Sequence, residues 1–360
     1  MKKITTVLLL FALIFSLTAC ASEEQPPAQT TEVVSQTATT IAQTETTAQA
    51  ETTAQAETAT QTEELPLLKV GVLKGPTGFG MSRLMEDVAT GATPLNAEFE
   101  IMPTPDKIVP LIVQGELDFA CVPTNMASIL YNKTGGEVKL CAVNTLGVLH
   151  LVGSAEMAEK INGVADLKGM QLSSSGQGAV PEYLLNKLLA DNGVDGDVVV
   201  DYSASHQELA TAVAAGEREL AVLPQPFVTI ATMKGEGVKQ ILDLNDEWLK
   251  LYPDTPITTG CIIVKKDLLE KNPQYVDQFL EGYKASIEWV VGNHQEASVL
   301  IEKHGIFPKA KVAEKAIPHC SIVYLDKEAA KQSVNAFLNV LYEANPKSVG
   351  GKLPADDFYK

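Results

Sequence analysis

Arginine is nearly missing from this chain: Arg83 and Arg218 are the only two among 360 residues. A ligand that needs a bidentate guanidinium fork, as doubly charged phosphates and sulfates often do, has almost nowhere to find one. No apolar run reaches the roughly 20 residues that cross a bilayer as a helix. The stretch Val7 to Leu17, preceded by Lys2 and Lys3, instead has the layout of a secretory signal. Cysteine is sparse. Cys121, Cys141, Cys261 and Cys320 each sit in an apolar setting, no pair has metal-ligand spacing, and small buried hydrophobes are the expectation. If bridges formed, three pairings would be open. The formal charge of −17 argues against nucleic acid as a partner.

What is present divides the chain. From Ala21 to Glu64 the sequence is mostly Thr, Gln, Ala and Glu, with "ETTAQA" twice in succession and no aromatic residue. Such a segment buries too little surface to offset the entropy of ordering it, and reads as a disordered tether. It holds eight of the 45 acidic residues and no Lys or Arg, so the remainder is acidic too.

After Pro66, short apolar runs alternate with helical periodicity, the signature of an α/β fold with parallel strands. "LKVGVL", "AEFEIMP" and "LDFACV" read as strands. Met81, Leu84, Met85 and Val88 mark a helix directly after a glycine loop, and Asp106 to Gln114 a short helix with Pro110 near its first turn. The order then recurs: "KGMQLSSSGQG" is strand and loop, Pro181 opens a helix that Gly193 ends, "DVVVDYS" is a strand, Leu209 and Val213 mark a helix, and "LAVLP" is a strand. "GELDFACVP" and "GERELAVLP" correspond at a displacement of 101 positions, as do Gly75 and Gly176. "TGCIIVKK" reads as a returning strand, "NPQYVDQFLEGYKASIEWVV" as a long amphipathic helix, and Lys311 to Tyr342 as further helices. Trp248 and Trp289 are expected as core or rim anchors.

The loop "KGPTGFGMS" spaces Gly75, Gly80 and Ser82 as a phosphate loop does, but Met81 stands where the lysine must be, and a methionine neutralises no phosphate. Gly75, Gly78 and Gly80 do not make G-x-G-x-x-G either. A glycine turn entering a helix still aims backbone N–H groups and the positive dipole end at one point. "SSSGQG" offers the same device, with donors and acceptors from Ser173, Ser174, Ser175 and Gln177. Both loops would lie at carboxyl ends of parallel strands, where ligands of such sheets bind.

These residues resemble a known family. "LTAC", ending at Cys20, is similar to the lipobox of bacterial lipoproteins; "KVGVLKGPTGFG", "IVQGELDFACVPTNMA", "GVADLKGMQLSSSGQG" and "AVLPQPFVT" resemble the solute-binding lipoproteins of ABC importers. The nearest branch handles nitrate, sulfonates, taurine and thiamine-pyrimidine precursors. The resemblance implies a two-lobed α/β fold of the type II periplasmic-binding-protein kind, its lobes joined by two crossing strands near "LGVLHLVG" and "ITTGCIIV". It implies a signal peptide over 1–20 ending at a lipidated Cys20, a tether over 21–65, a first lobe over 66–152 and 260–360, and a second over 153–259. The partners implied are a small-molecule ligand, an ABC permease and the membrane that holds the lipid anchor on its extracytoplasmic face, with no cofactor, metal or nucleic acid. Carried over by position, Lys74, Gly75, Pro76, Thr77, Gly78, Thr124, Asn125, Gly147, Ser174, Ser175, Gly176, Gln177, Gln225 and Thr259 would line the cleft. Where relatives often carry an acid before the proline of "PQP", this chain has Gln225, which favours a neutral or anionic guest.

Capture and delivery without chemistry is the leading expectation. An enzyme on the same fold, of the menaquinone-pathway or pyrimidine-synthesis type, would rely on His150 or His206 as acid and base; the iron-binding cysteine cluster of the latter type has no counterpart here. A ligand-sensing lipoprotein is the third alternative.

Overall fold

The computed structural model describes residues 66–360 apart from Gly178, all within one compact unit, Thr62–Lys360. The expected signal, Cys20 and tether lie outside the described residues. Eleven strands are described: β1 Leu68–Leu73, β2 Ala97–Met102, β3 Phe119–Pro123, β4 Val138–Thr145, β5 Leu149–Ser154, β6 Gln171–Ser173, β7 Val199–Asp201, β8 Leu220–Pro224, β9 Val238–Asp243, β10 Gly260–Lys265 and β11 Ile322–Asp326. They form a six-stranded sheet, β11-β4-β10-β3-β1-β2, and a five-stranded sheet, β7-β6-β8-β5-β9. The α/β architecture expected from the alternating runs is present. Sheet membership changes between Thr145 and Leu149 and again between Asp243 and Gly260.

The displacement of 101 recurs in three dimensions. Phe119–Pro123 and Leu220–Pro224 are equivalent strands, each parallel to the first strand of its half. The helices Pro105–Val113 and His206–Ala214 correspond residue for residue. Gly115 donates to Ile112 O and Glu116 to Leu111 O; Gly216 donates to Val213 O and Glu217 to Ala212 O.

Each half also receives one antiparallel strand from the other side of the chain. β10 enters between β3 and β4, with Gly260 opposite Pro123; β5 enters between β8 and β9, with Leu149 opposite Pro224. Proline ends both receiving strands, as befits a residue without a ladder donor. The next residue resumes the bonding: Thr124 N donates to Thr259 O at 3.1 Å and Gln225 N to Val148 O at 3.0 Å.

β1, β3, β8 and β10 are almost wholly buried apolar runs, because helices cover both faces of these sheets. Phe119 stacks on Phe279 of the helix Pro273–Gly292 with centroids 4.1 Å apart. Trp248 is fully buried, its indole N–H donating to Thr255 O at 2.7 Å, whereas Trp289 lies under the Arg83 guanidinium. All four described cysteines are buried and free, and the surrounding desolvation pushes the Cys121 and Cys141 thiols up to about 12.

Two local expectations need correction. The first glycine loop does not run straight into its helix: a single turn, Pro76–Phe79, comes first, and the helix starts at Ser82. Pro110 sits inside the helix Pro105–Val113 rather than near its start, because Pro105 already occupies the first turn.

The paired turns give a direct test. Gly115 and Gly216 have φ of 73° and 74°, and nothing lies within 4 Å of a Cβ added at Gly216. Gly216→Ala therefore meets backbone strain without a clash and should lose about 1 kcal/mol of stability in urea unfolding. Gly196→Ala, in open space without a positive φ, should lose none.

Candidate functional site

A cavity of about 190 Å³ lies where the carboxyl ends of strands from the two sheets meet. Its walls are Lys74, Gly75, Pro76 and Thr77 after β1, Thr145 at the end of β4, Val148 and Leu149 at the start of β5, and Thr259 just before β10. From the other side come Val180 and Pro181, His206, Pro224, Gln225 and Phe227. The volume is below the roughly 300 Å³ of a drug-sized pocket. Most wall residues are apolar, and no carboxylate or arginine stands among them.

The first loop is fixed from behind. Lys74 N donates to Met102 O at 2.9 Å, and Asn144 Nδ2 reaches Thr77 O at 3.3 Å while Asn144 Oδ1 accepts from Thr145 Oγ1 at 3.0 Å. Pro76 and Pro181 each occupy a helix first turn and bring no N–H, so each removes one backbone donor from the device expected there.

Gln225 is almost fully buried, and its Oε1 accepts from Thr229 Oγ1 at 2.8 Å and Thr229 N at 3.3 Å. Its acceptor is thus used internally, and the amide NH₂ is what the side chain has left to offer. The Gln225–Pro226 peptide bond is cis.

His206 opens the helix His206–Ala214 behind a complete Ser205–Glu208 capping box. Its Nδ1 is hydrogen-bonded to Ser175 Oγ, and its ring lies 5.3 Å from that of Phe227. Desolvation lowers its pKa to about 4, so the imidazole is neutral at physiological pH. His150 is elsewhere: a buried residue of β5, 3.6 Å from Asp243 Oδ2, with its pKa lowered by burial.

Of the residues expected from sequence, Lys74, Gly75, Pro76, Thr77, Gln225 and Thr259 share this cavity wall. The others stand behind it or beside it. Gly78 is packed against Leu73 O, Thr124 is fully buried beside Thr259, and Asn125 Nδ2 donates to Ser348 O at 3.1 Å. Gly147 lies against Asn245, and its carbonyl accepts from Ser321 Oγ. Ser174 is buried, Ser175 reaches the cavity only through His206, Gly176 packs on Pro181, and Gln177 is exposed. The sequence reading missed the apolar wall of Val148, Leu149, Val180, Pro181, Pro224 and Phe227, together with Thr145. Pro181 and Pro224 flank recognised loops, but nothing in their residue type marks them as ligand-facing.

A larger hollow of about 370 Å³ is lined by Gly115, Asp118, Lys133, Glu137 and Lys265, near the amino ends of β3 and β4. Ligands of such sheets bind at the opposite, carboxyl end. Size alone does not make it the site.

The NMT1/THI5-like family model matches residues 95–297, from just before β2 to beyond the helix Pro273–Gly292. The chain belongs to that family. No curated protein matches this NMT1/THI5-like chain. An ABC transporter from Parabacteroides distasonis is similar at 27% identity and a TM-score of 0.69, over 82% of this chain and 98% of that one. The periplasmic aliphatic sulphonate binding protein of Escherichia coli is similar at 17% identity and a TM-score of 0.61, over 79% and 90%. The periplasmic nitrate-binding protein of Synechocystis follows at 14% identity and 0.54, over 74% and 75%. The fold of this NMT1/THI5-like protein is therefore that of the periplasmic solute-binding proteins.

The neutral His206 has a measurable consequence. An unfolded chain takes up the imidazole proton near pH 6.5, whereas the folded site resists it until about pH 4. Between those values the unfolded state binds more protons, so stability contributed at this position is lost as pH falls from 6.5 towards 4. His206→Gln should lose stability less steeply than the wild type over that window in parallel urea titrations.

Proposed function

We propose that this protein is an extracytoplasmic solute-binding lipoprotein that captures one small polar or anionic molecule and delivers it to an ABC permease. The observation that carries this reading is the cavity itself: a half-open space bounded by strand-end loops of both sheets, with apolar walls and a few fixed polar groups. Such a space grips a guest from two sides. The solved structures that share the fold are named for transport or for binding sulphonate and nitrate, which agrees with capture. Lipid attachment at Cys20 and a tether over 21–65 would keep the binding unit at the membrane beside its permease. On this reading the two sheets belong to two lobes, 66–152 with 260–360 and 153–259, that close over the guest.

Catalysis fits the site less well. A general base works best with a pKa near the operating pH, and His206 lies well below it. The buried thiols, held protonated, are poor nucleophiles and poor iron ligands. Among the described residues no group of three His, Cys, Asp or Glu is placed to hold a metal.

A thermal-shift panel of nitrate, alkanesulfonates, pyrimidines and amino acids should reveal a ligand that binds saturably, one per chain. A hundredfold excess over its Kd adds about 2.7 kcal/mol. Mass spectrometry should recover that ligand unchanged, and a product formed by the purified protein would contradict the reading. Val180→Trp, filling the cavity, should abolish the shift with the far-ultraviolet circular dichroism intact.

A further inference from the structure

Ser175 was expected to touch the guest directly, and its position suggests a different task. Its side chain is buried at 4% exposure, and its Oγ has His206 Nδ1 as a partner. Among the described residues no other group is hydrogen-bonded to that hydroxyl, while the neighbouring Ser174 Oγ makes its own bond to Ser175 O. A buried hydroxyl proton without an acceptor is costly. If Nδ1 carried the proton and donated to Ser175 Oγ, the serine proton would be stranded. If the serine donates to Nδ1, both groups are satisfied and the imidazole proton must sit on Nε2.

The surroundings favour the same neutral form. His206 is the first residue of its helix, where the positive dipole end disfavours an imidazolium. The nearest carboxylate along that helix, Glu208, is turned back onto the Ser205 N–H at 2.8 Å and offers the ring no counter-charge. Across the cavity stands Lys74, itself a cation and a donor. Gln225, with Oε1 bound to Thr229, contributes only its NH₂.

We propose that Ser175 is a positioning residue that locks His206 in the Nε2–H form, so that His206, Gln225 and Lys74 present a wall of donors and the cleft selects a guest bearing hydrogen-bond acceptors. This rests on the solute-binding reading for its second half only; the serine–histidine pairing stands or falls without a ligand. The class selected is a carbonyl or an oxyanion; an ammonium group finds no carboxylate in the wall, only neutral acceptors such as Thr145 Oγ1, whose own proton goes to Asn144.

The test uses the full chain labelled with ¹⁵N-histidine, the His206 resonances being assigned by their loss in His206→Gln. Long-range ¹H–¹⁵N spectra should show a single Nε2–H tautomer from pH 8 down to pH 5. Ser175→Ala should give a tautomer mixture with an imidazole that titrates closer to its ordinary value, and Ser175→Thr should restore the wild-type pattern. A Nδ1–H tautomer in the wild type, or a Ser175→Ala spectrum identical to it, overturns the pairing. Acetamide, acetate and methylammonium, at equal concentration, then probe the guest. A shift of the His206 Nε2 signal with acetamide marks a carbonyl guest, and one with acetate an oxyanion. A response to methylammonium, or to none of the three, overturns the selection for acceptors while leaving the pairing intact.

Discussion

Two antiparallel strands decide where everything else in this protein can be. β10 and β5 each enter a sheet between strands of the opposite direction in chain order, and each meets a proline at the end of the strand it pairs with. The peptide N–H that follows each proline must find an acceptor if it is to be buried without cost. Both find it one residue before the incoming strand: Thr124 in Thr259, Gln225 in Val148. Those two bonds close the ladders and fix the floor of the cavity, since Thr259, Val148 and Gln225 are all wall residues.

The chemistry of the site follows from how that floor is satisfied. Each polar group near the cavity has one side committed to the protein: Gln225 through Thr229, His206 through Ser175, Thr145 through Asn144. What remains for a guest is the donors of Gln225 and His206 and the lone pairs of Thr145 Oγ1, set in an apolar frame. In a space this small, a few oriented hydrogen bonds and the exclusion of water do the discriminating. The scarcity of arginine in the sequence has its counterpart in a wall without guanidinium groups.

Much of the fold was legible in the residues. The buried runs of β1, β3, β8 and β10 carry continuous apolar sequence because both sheet faces are covered, and the displacement of 101 surfaces as equal turns and equal hydrogen bonds. β4, β9 and β11 were not foreseen. β9 and β11 are half-buried, mixed in composition and adjoin helices, so no period of two stands out; β4 is completely buried, but its polar residues Lys139, Asn144 and Thr145 break the apolar run. The cavity wall was legible where glycine or a loop motif marks it, at Lys74 to Thr77. It was illegible where the wall is made of Val148, Leu149, Val180 and Phe227, because an apolar residue facing a cavity has the same sequence signature as one facing the core. The serines of "SSSGQG" were read as ligand contacts because donors in a loop look free until the fold shows what they hold.

On the proposed function, two loops, one from each sheet, hold a single guest between them. Amide hydrogen exchange with and without a ligand found by the thermal-shift panel tests it most directly. Peptides covering Lys74 to Phe79 and Val180 to Leu184 should gain protection together, at the same ligand concentration. Protection confined to one of them, or appearing instead around Gly115, Lys133 and Lys265, would contradict it.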